Sequence, residues 1–92
     1  MAEKSLHAVV SGRVQGVFFR DYTRSEAERL GVSGWVRNRS DGSVEVLISG
    51  EEHKVDQMVE WLYQGSPMSK VSSVEIDAVE NPGELRGFEI RY

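Results

Sequence analysis

Apolar residues along this chain repeat with two alternating periods, and the switches between them outline a series of strands and helices. Leu6-His7-Ala8-Val9-Val10-Ser11 is short, mostly apolar and β-branched toward its end, the pattern of a largely buried strand. From Phe19 to Leu30 the period lengthens: Phe19, Thr23, Ala27 and Leu30 fall on one helical stripe, with Tyr22 beside it. Asp21 in the first turn complements the helix dipole, and Gly31 is suited to end the helix. Ser33 to Arg39 reads as a strand with Trp35 and Val36 on opposite faces. Asp41-Gly42 is a strong hairpin signal. The return strand Ser43 to Ser49 sets Val44, Val46 and Ile48 on one face and Glu45 and Leu47 on the other.

A second helix is predicted over Gly50 to Gln64, where Val55, Met58, Val59 and Leu62 give the i, i+3, i+4, i+7 spacing. Glu51 and Glu52 fall in its first turn. Gly65-Ser66-Pro67 breaks the pattern. Val71 to Val79 is a further strand, with Val71, Val74, Ile76 and Ala78 as its apolar set. Asn81-Pro82-Gly83 is a turn, and Phe88 to Tyr92 is a short last strand. The order β-α-β-β-α-β plus a terminal strand predicts an α+β, ferredoxin-like sandwich. Two helices should cover one face of an antiparallel sheet. At 92 residues the chain should form one domain, residues 1–92. Such a fold hosts many functions, so its site must carry the functional argument.

Composition narrows the chemistry. With no cysteine, disulfides, thiolate metal sites and a cysteine nucleophile are excluded. Met1-Ala2-Glu3-Lys4-Ser5 does not open like a signal peptide, and no run approaches the ~18 apolar residues of a membrane span. A soluble cytoplasmic protein, monomeric and without a membrane partner, is therefore expected. The net charge of −4 argues against general nucleic-acid binding. Its distribution is uneven: residues 1–40 hold seven Lys/Arg against four Asp/Glu, and residues 41–92 hold four against eleven. An anionic ligand is best sought in the first part, although exposed charges are commonly only solvated.

Within that part, Ser11 to Arg20 joins a strand to a helix N-terminus, where unpaired backbone N–H groups and the helix dipole favour an anion. Gly12 and Gly16 let the backbone curl into a nest, and the guanidinium of Arg20 can grip two phosphoryl oxygens. Val17, Phe18 and Phe19 are expected to anchor the loop in the core. No Gly-Lys-Ser/Thr follows, so this is not the nucleotide-binding P-loop and implies no metal-binding hydroxyl. On residue types alone, an ordinary glycine-containing connection with an exposed arginine fits as well.

Two strings go further. Gly12-Arg13-Val14-Gln15-Gly16-Val17-Phe18-Phe19-Arg20 resembles one signature of the acylphosphatases. Gly34-Trp35-Val36-Arg37-Asn38, followed by Asp41-Gly42, resembles the other. The resemblance spans essentially the whole chain and agrees with the fold read above. It implies that Arg20 and Asn38 are catalytic. It also implies a phosphate-binding loop of Gln15, Gly16, Val17, Phe18, Phe19 and Arg20, acting through backbone amides and the arginine. The implied reaction is cleavage of a small acyl phosphate to carboxylate and inorganic phosphate, with no metal and no cofactor. Inorganic phosphate, as product, should compete with substrate.

Other residues suggest less. His7 and His53 are far apart and read as structural or exposed. Asp41 is explained by its turn, although a paired-acid site with Glu45 stays open. Trp35 and Trp61 read as core packing. An RNA-binding sheet would need aromatic-rich strands that this chain lacks. A domain that binds an anion without turnover is a further alternative.

Overall fold

The structure is a computed structural model describing residues 2–92. Alternation in β1 (Glu3–Arg13) turns Leu6, Ala8 and Val10 to one face, where they are buried. β3 (Val44–Glu51) pairs antiparallel to it and sends Val44, Val46 and Ile48 to the same side. β2 (Ser33–Asn38) pairs antiparallel with β3 and adds Val36. Against this face lie α1 (Phe19–Leu30) and α2 (Glu52–Gln64). Phe19, Ala27 and Leu30 come from the first helix, and Val55, Met58 and Leu62 from the second. β4 (Lys70–Ala78) pairs antiparallel with β1, and β5 (Phe88–Arg91) joins β2, giving the order β4-β1-β3-β2-β5. This is the ferredoxin-like arrangement.

The predicted antiparallel sheet is corrected at one edge. β5 runs parallel to β2, with Gly34 opposite Phe88 and Val36 opposite Ile90, so the sheet is mixed. The connection after β4, residues 79–87, lets the chain cross the end of the sheet and enter the far edge in that direction. There Phe88, on the helix side, completes the core beside α1.

Most strand ends also move by one or more residues from their expected positions. β1 is longer at both ends than its apolar run, because its polar ends still pair with neighbours. α2 begins at Glu52 rather than Gly50. Gly50 and Glu51 finish β3, and the extended Glu51 caps the helix by accepting from the N–H groups of His53 and Lys54. In β4, the pairing with β1 shifts between Ser11 and Gly12, so Ser72 is an extra residue. That bulge puts Val71 on the same face as Val74, three positions later, and explains the irregular apolar spacing of this strand.

Gly12 sits at the bulge with φ 124°, and a Cβ there would collide with the Lys70 carbonyl oxygen. The end of β1 can thus approach β4 only with glycine in place, which sets where the next loop starts.

Candidate active site

The connection from β1 to α1 turns sharply at Gly16 (φ 73°) and again at Phe18 (φ 58°). Such left-handed residues near one another curl a backbone into an anion-binding nest. Phe18 is the N-cap of α1 and offers no side-chain hydrogen bond to the first turn. Among the described residues, none of the backbone N–H groups from Gln15 to Arg20 donates to another protein group. The positive end of α1 and its loop are therefore left open toward an anion.

Buried side chains hold the loop in this shape. Val14, Val17 and Phe19 are at most 6% exposed. Phe19 packs against Trp61 with ring centroids 5.7 Å apart. Ser66, buried in the connection after α2, donates from Oγ to the Val17 carbonyl at 3.0 Å. The expectation that Phe18 also anchors the loop is corrected. Its left-handed backbone turns the ring outward, and it is 71% exposed. Val14 supplies the inward contact instead.

Gln15 ties the loop to the rest of the sheet. Its side-chain N–H groups donate to the carbonyls of Arg39 and Ser43, each at 2.8 Å. Those two residues close the hairpin between β2 and β3, where Arg39 N–H donates to the Ser43 carbonyl and Gly42 (φ 93°) completes the turn. Asp41 accepts from the Ser43 hydroxyl and N–H, which holds its carboxyl below the ordinary range. It serves the turn, as its Asp-Gly context implied.

Asn38 ends β2 on the helix side of the sheet, opposite Val44. Arg20, in the first turn of α1, lies with its guanidinium 4.8 Å from the ring centre of Tyr92, and its Nη1 is 3.5 Å from the Arg91 carbonyl oxygen. Among the described residues it makes no ion pair with a carboxylate. Arg20 and Asn38 line one cleft of about 320 Å³, together with Gly16, Phe18 and Phe19. Two members of the expected loop do not line it: Val17 is buried beneath, and the side chain of Gln15 is engaged with the hairpin. Val14, Asp21, Ile90 and Tyr92 complete the wall.

Gln15 as a tie, Ser66 as a brace and Tyr92 as a neighbour of Arg20 were not assigned these parts from sequence. Tyr92 could have been placed by period, since Phe88, Ile90 and Tyr92 alternate onto one face, but only once β5 is known to lie beside β2. Ser66 carries no signal, because a buried serine in a Gly-Ser-Pro break looks like any turn.

The other candidate groups lie apart from the cleft. On the opposite face of the sheet, Glu45 meets His7 Nε2 at 2.7 Å and Arg37 Nε at 2.5 Å. Burial opposes its charge, but these two partners outweigh burial and lower its pKa. Trp35, expected in the core, instead covers this outer face, with the guanidinium groups of Arg91 and Arg37 5.0 and 5.6 Å from its ring. Asp41 and Glu45 thus do not form a paired-acid site. Among the described residues no three His, Asp or Glu side chains gather in a metal-binding group, and no helix is long and apolar enough to cross a membrane.

Comparison with known proteins gives one family. The acylphosphatase family model matches residues 6–90. An acylphosphatase of Rubrobacter xylanophilus is 54% identical over 88 residues, covering 96% of this chain and 80% of that protein. One from Pelotomaculum thermopropionicum is 46% identical over the full length of both. The crystal structure of acylphosphatase from Bacillus subtilis superposes with a TM-score of 0.93 at 38% identity, over 97% of this chain and 99% of that one. Sequence along the whole chain and fold agree, and the chain belongs to the acylphosphatase family, hydrolases that act on acyl phosphates.

Proposed function

We propose that the loop from Gln15 to Arg20 grips the phosphoryl group of a small acyl phosphate while Asn38 aims the attacking water. The observation that carries this reading is the meeting of Arg20 and Asn38, from separate motifs, across one cleft at the open end of α1. Unpartnered amides and an arginine free of carboxylates supply the positive field that the equatorial phosphoryl oxygens need. Phosphoryl transfer is largely positioning and charge stabilisation, so this equipment suffices in kind.

Water attacks phosphorus in line, its oxygen forming the new P–O bond. The bond to the carboxyl oxygen breaks, and the carboxylate departs with the electron pair. A carboxylate is a good leaving group and needs little acid assistance. The amide of Asn38 can donate and accept a hydrogen bond but is no base at neutral pH. The water's proton therefore passes to a phosphoryl oxygen and leaves with inorganic phosphate. The reaction needs no metal in this reading, and the chain works as a monomer.

Phosphate release from benzoyl phosphate tests the proposal. Wild-type protein should turn over in the presence of a chelator, with inorganic phosphate competing. Arg20→Lys should be severely impaired, because an ammonium cannot reproduce the planar two-pronged grip. Binding of phosphate without turnover would favour a non-catalytic anion module instead.

A further inference from the structure

Phe18 is a poor choice for the backbone position it holds. With φ 58° and ψ 25° it lies in the left-handed region, where a bulky side chain is strained and Gly or Asn is favoured. It is also the N-cap of α1, a position that prefers Ser, Asp or Asn. Its ring is 71% exposed and takes no part in the core. Loop shape, helix capping and core packing all argue for another residue. A capping Asp or Ser would bond the first-turn amides that the phosphoryl group requires, which accounts for the lack of a polar cap. Glycine would meet that need with less strain. The ring therefore answers to something beyond the fold.

The cleft indicates what that is. Its phosphoryl end is polar, with Arg20, Asn38 and the loop amides, while Phe18, Ile90 and Tyr92 give the remaining wall an apolar character. Asp21 also lines it, and its carboxylate disfavours an acyl chain that bears a second negative charge. We infer that Phe18 is a specificity-determining residue that selects acyl phosphates with an apolar, above all aromatic, acyl group. This rests on the reading that the loop holds the phosphoryl end and extends it to the other half of the substrate.

The test compares kcat/KM for benzoyl phosphate and acetyl phosphate in the wild type, Phe18→Asn and Phe18→Leu. Asparagine tolerates the left-handed backbone, and leucine keeps an apolar side chain. Damage to the loop lowers both substrates together and cancels in their ratio. The benzoyl-to-acetyl ratio should fall roughly 10-fold in Phe18→Asn, the scale on which apolar contacts discriminate, and much less in Phe18→Leu. Calorimetric binding of benzoylphosphonate against acetylphosphonate reads the same ratio without turnover. An unchanged ratio in Phe18→Asn, by either readout, overturns the role of Phe18 alone. A wild-type protein that hydrolyses neither substrate overturns the underlying reading as well.

Discussion

Gln15 and Ser43 are joined by a 2.8 Å hydrogen bond from the side-chain amide of the first to the backbone carbonyl of the second. The same amide nitrogen reaches the Arg39 carbonyl, so one side chain ties the loop carrying Arg20 to the hairpin carrying Asn38. Both carbonyls keep another donor, Arg39 N–H for Ser43 and Gly42 N–H for Arg39, so their removal leaves no orphaned acceptor. Gln15→Met should then cost little stability but misalign the two halves of the cleft. Turnover should fall by about 10- to 100-fold, as displacements near 1 Å do, with phosphate inhibition less affected. Gln15→Glu sharpens the test. Its carboxylate faces two carbonyl oxygens at neutral pH, and protonation restores one donor. Activity of this variant should rise as the medium is acidified, and the wild type should lack that rise. Unaltered turnover in both variants would remove the tie from the mechanism.

Asn38→Ala should lower kcat by roughly 10²-fold or more, the scale for losing one oriented polar group. Inhibition by inorganic phosphate should stay close to normal, because the loop amides and Arg20 remain. Asn38→Asp should do worse, placing a carboxylate in the cleft proposed to take an anion. Steady-state kinetics with phosphate as inhibitor separate the two effects, and normal kcat in Asn38→Ala would exclude the water-positioning role.

Local rules made much of this molecule readable in advance. α1 runs from Phe19 to Leu30 as its stripe predicts, and Gly31 ends it in a left-handed cap whose N–H reaches the Ala27 carbonyl. Asp41-Gly42 located the hairpin, and the alternation of Val44, Val46 and Ile48 chose the buried face of β3. What stayed hidden depends on neighbours distant in sequence. A period of two says which residues share a face but not which strand lies alongside, so the parallel pairing of β5 was not legible. The outward turn of Phe18 is a backbone property, opposite to what an aromatic in an apolar triplet suggests. The two signature strings singled out Arg20 and Asn38, but only three-dimensional contact assigns the Gln15 and Ser66 side chains to the loop's support.

Glu45 couples stability to pH on the face away from the cleft. Its folded-state pKa is lowered, so the stability it contributes is present above its unfolded value and is lost as pH falls through the folded one. Melting temperature should therefore decline on acidification through and below the ordinary carboxylate range. Glu45→Gln should flatten part of that decline. Glu45→Ala removes the acceptor shared by His7 and Arg37, but both donors remain within reach of water, so the cost should be about 1 kcal/mol. In a domain of this size that is roughly 4–8 °C per kcal/mol. Because Glu45 lies across the sheet from Arg20 and Asn38, turnover of the folded variants at neutral pH should stay near normal. Equal acid sensitivity of wild type and Glu45→Gln would count against this coupling.

Ser66 acts on the anion loop through a peptide plane. Its hydroxyl holds the Val17 carbonyl inward at 3.0 Å. The carbonyl of Val17 and the N–H of Phe18 belong to one planar trans unit and point in opposite directions. Drawing the carbonyl toward buried Ser66 therefore directs the Phe18 N–H away from the core, where a phosphoryl oxygen can accept from it. Ser66→Ala should lower the melting temperature, because a buried acceptor loses its partner at a cost of about 1–3 kcal/mol. It should also raise the inhibition constant of inorganic phosphate by roughly 5- to 10-fold, through freedom returned to that peptide. The two readouts divide the possible roles. A lower melting temperature with an unchanged phosphate constant would make Ser66 a brace for the fold alone. A weakened phosphate constant measured well below the transition would show that one buried hydroxyl aims an amide it never touches.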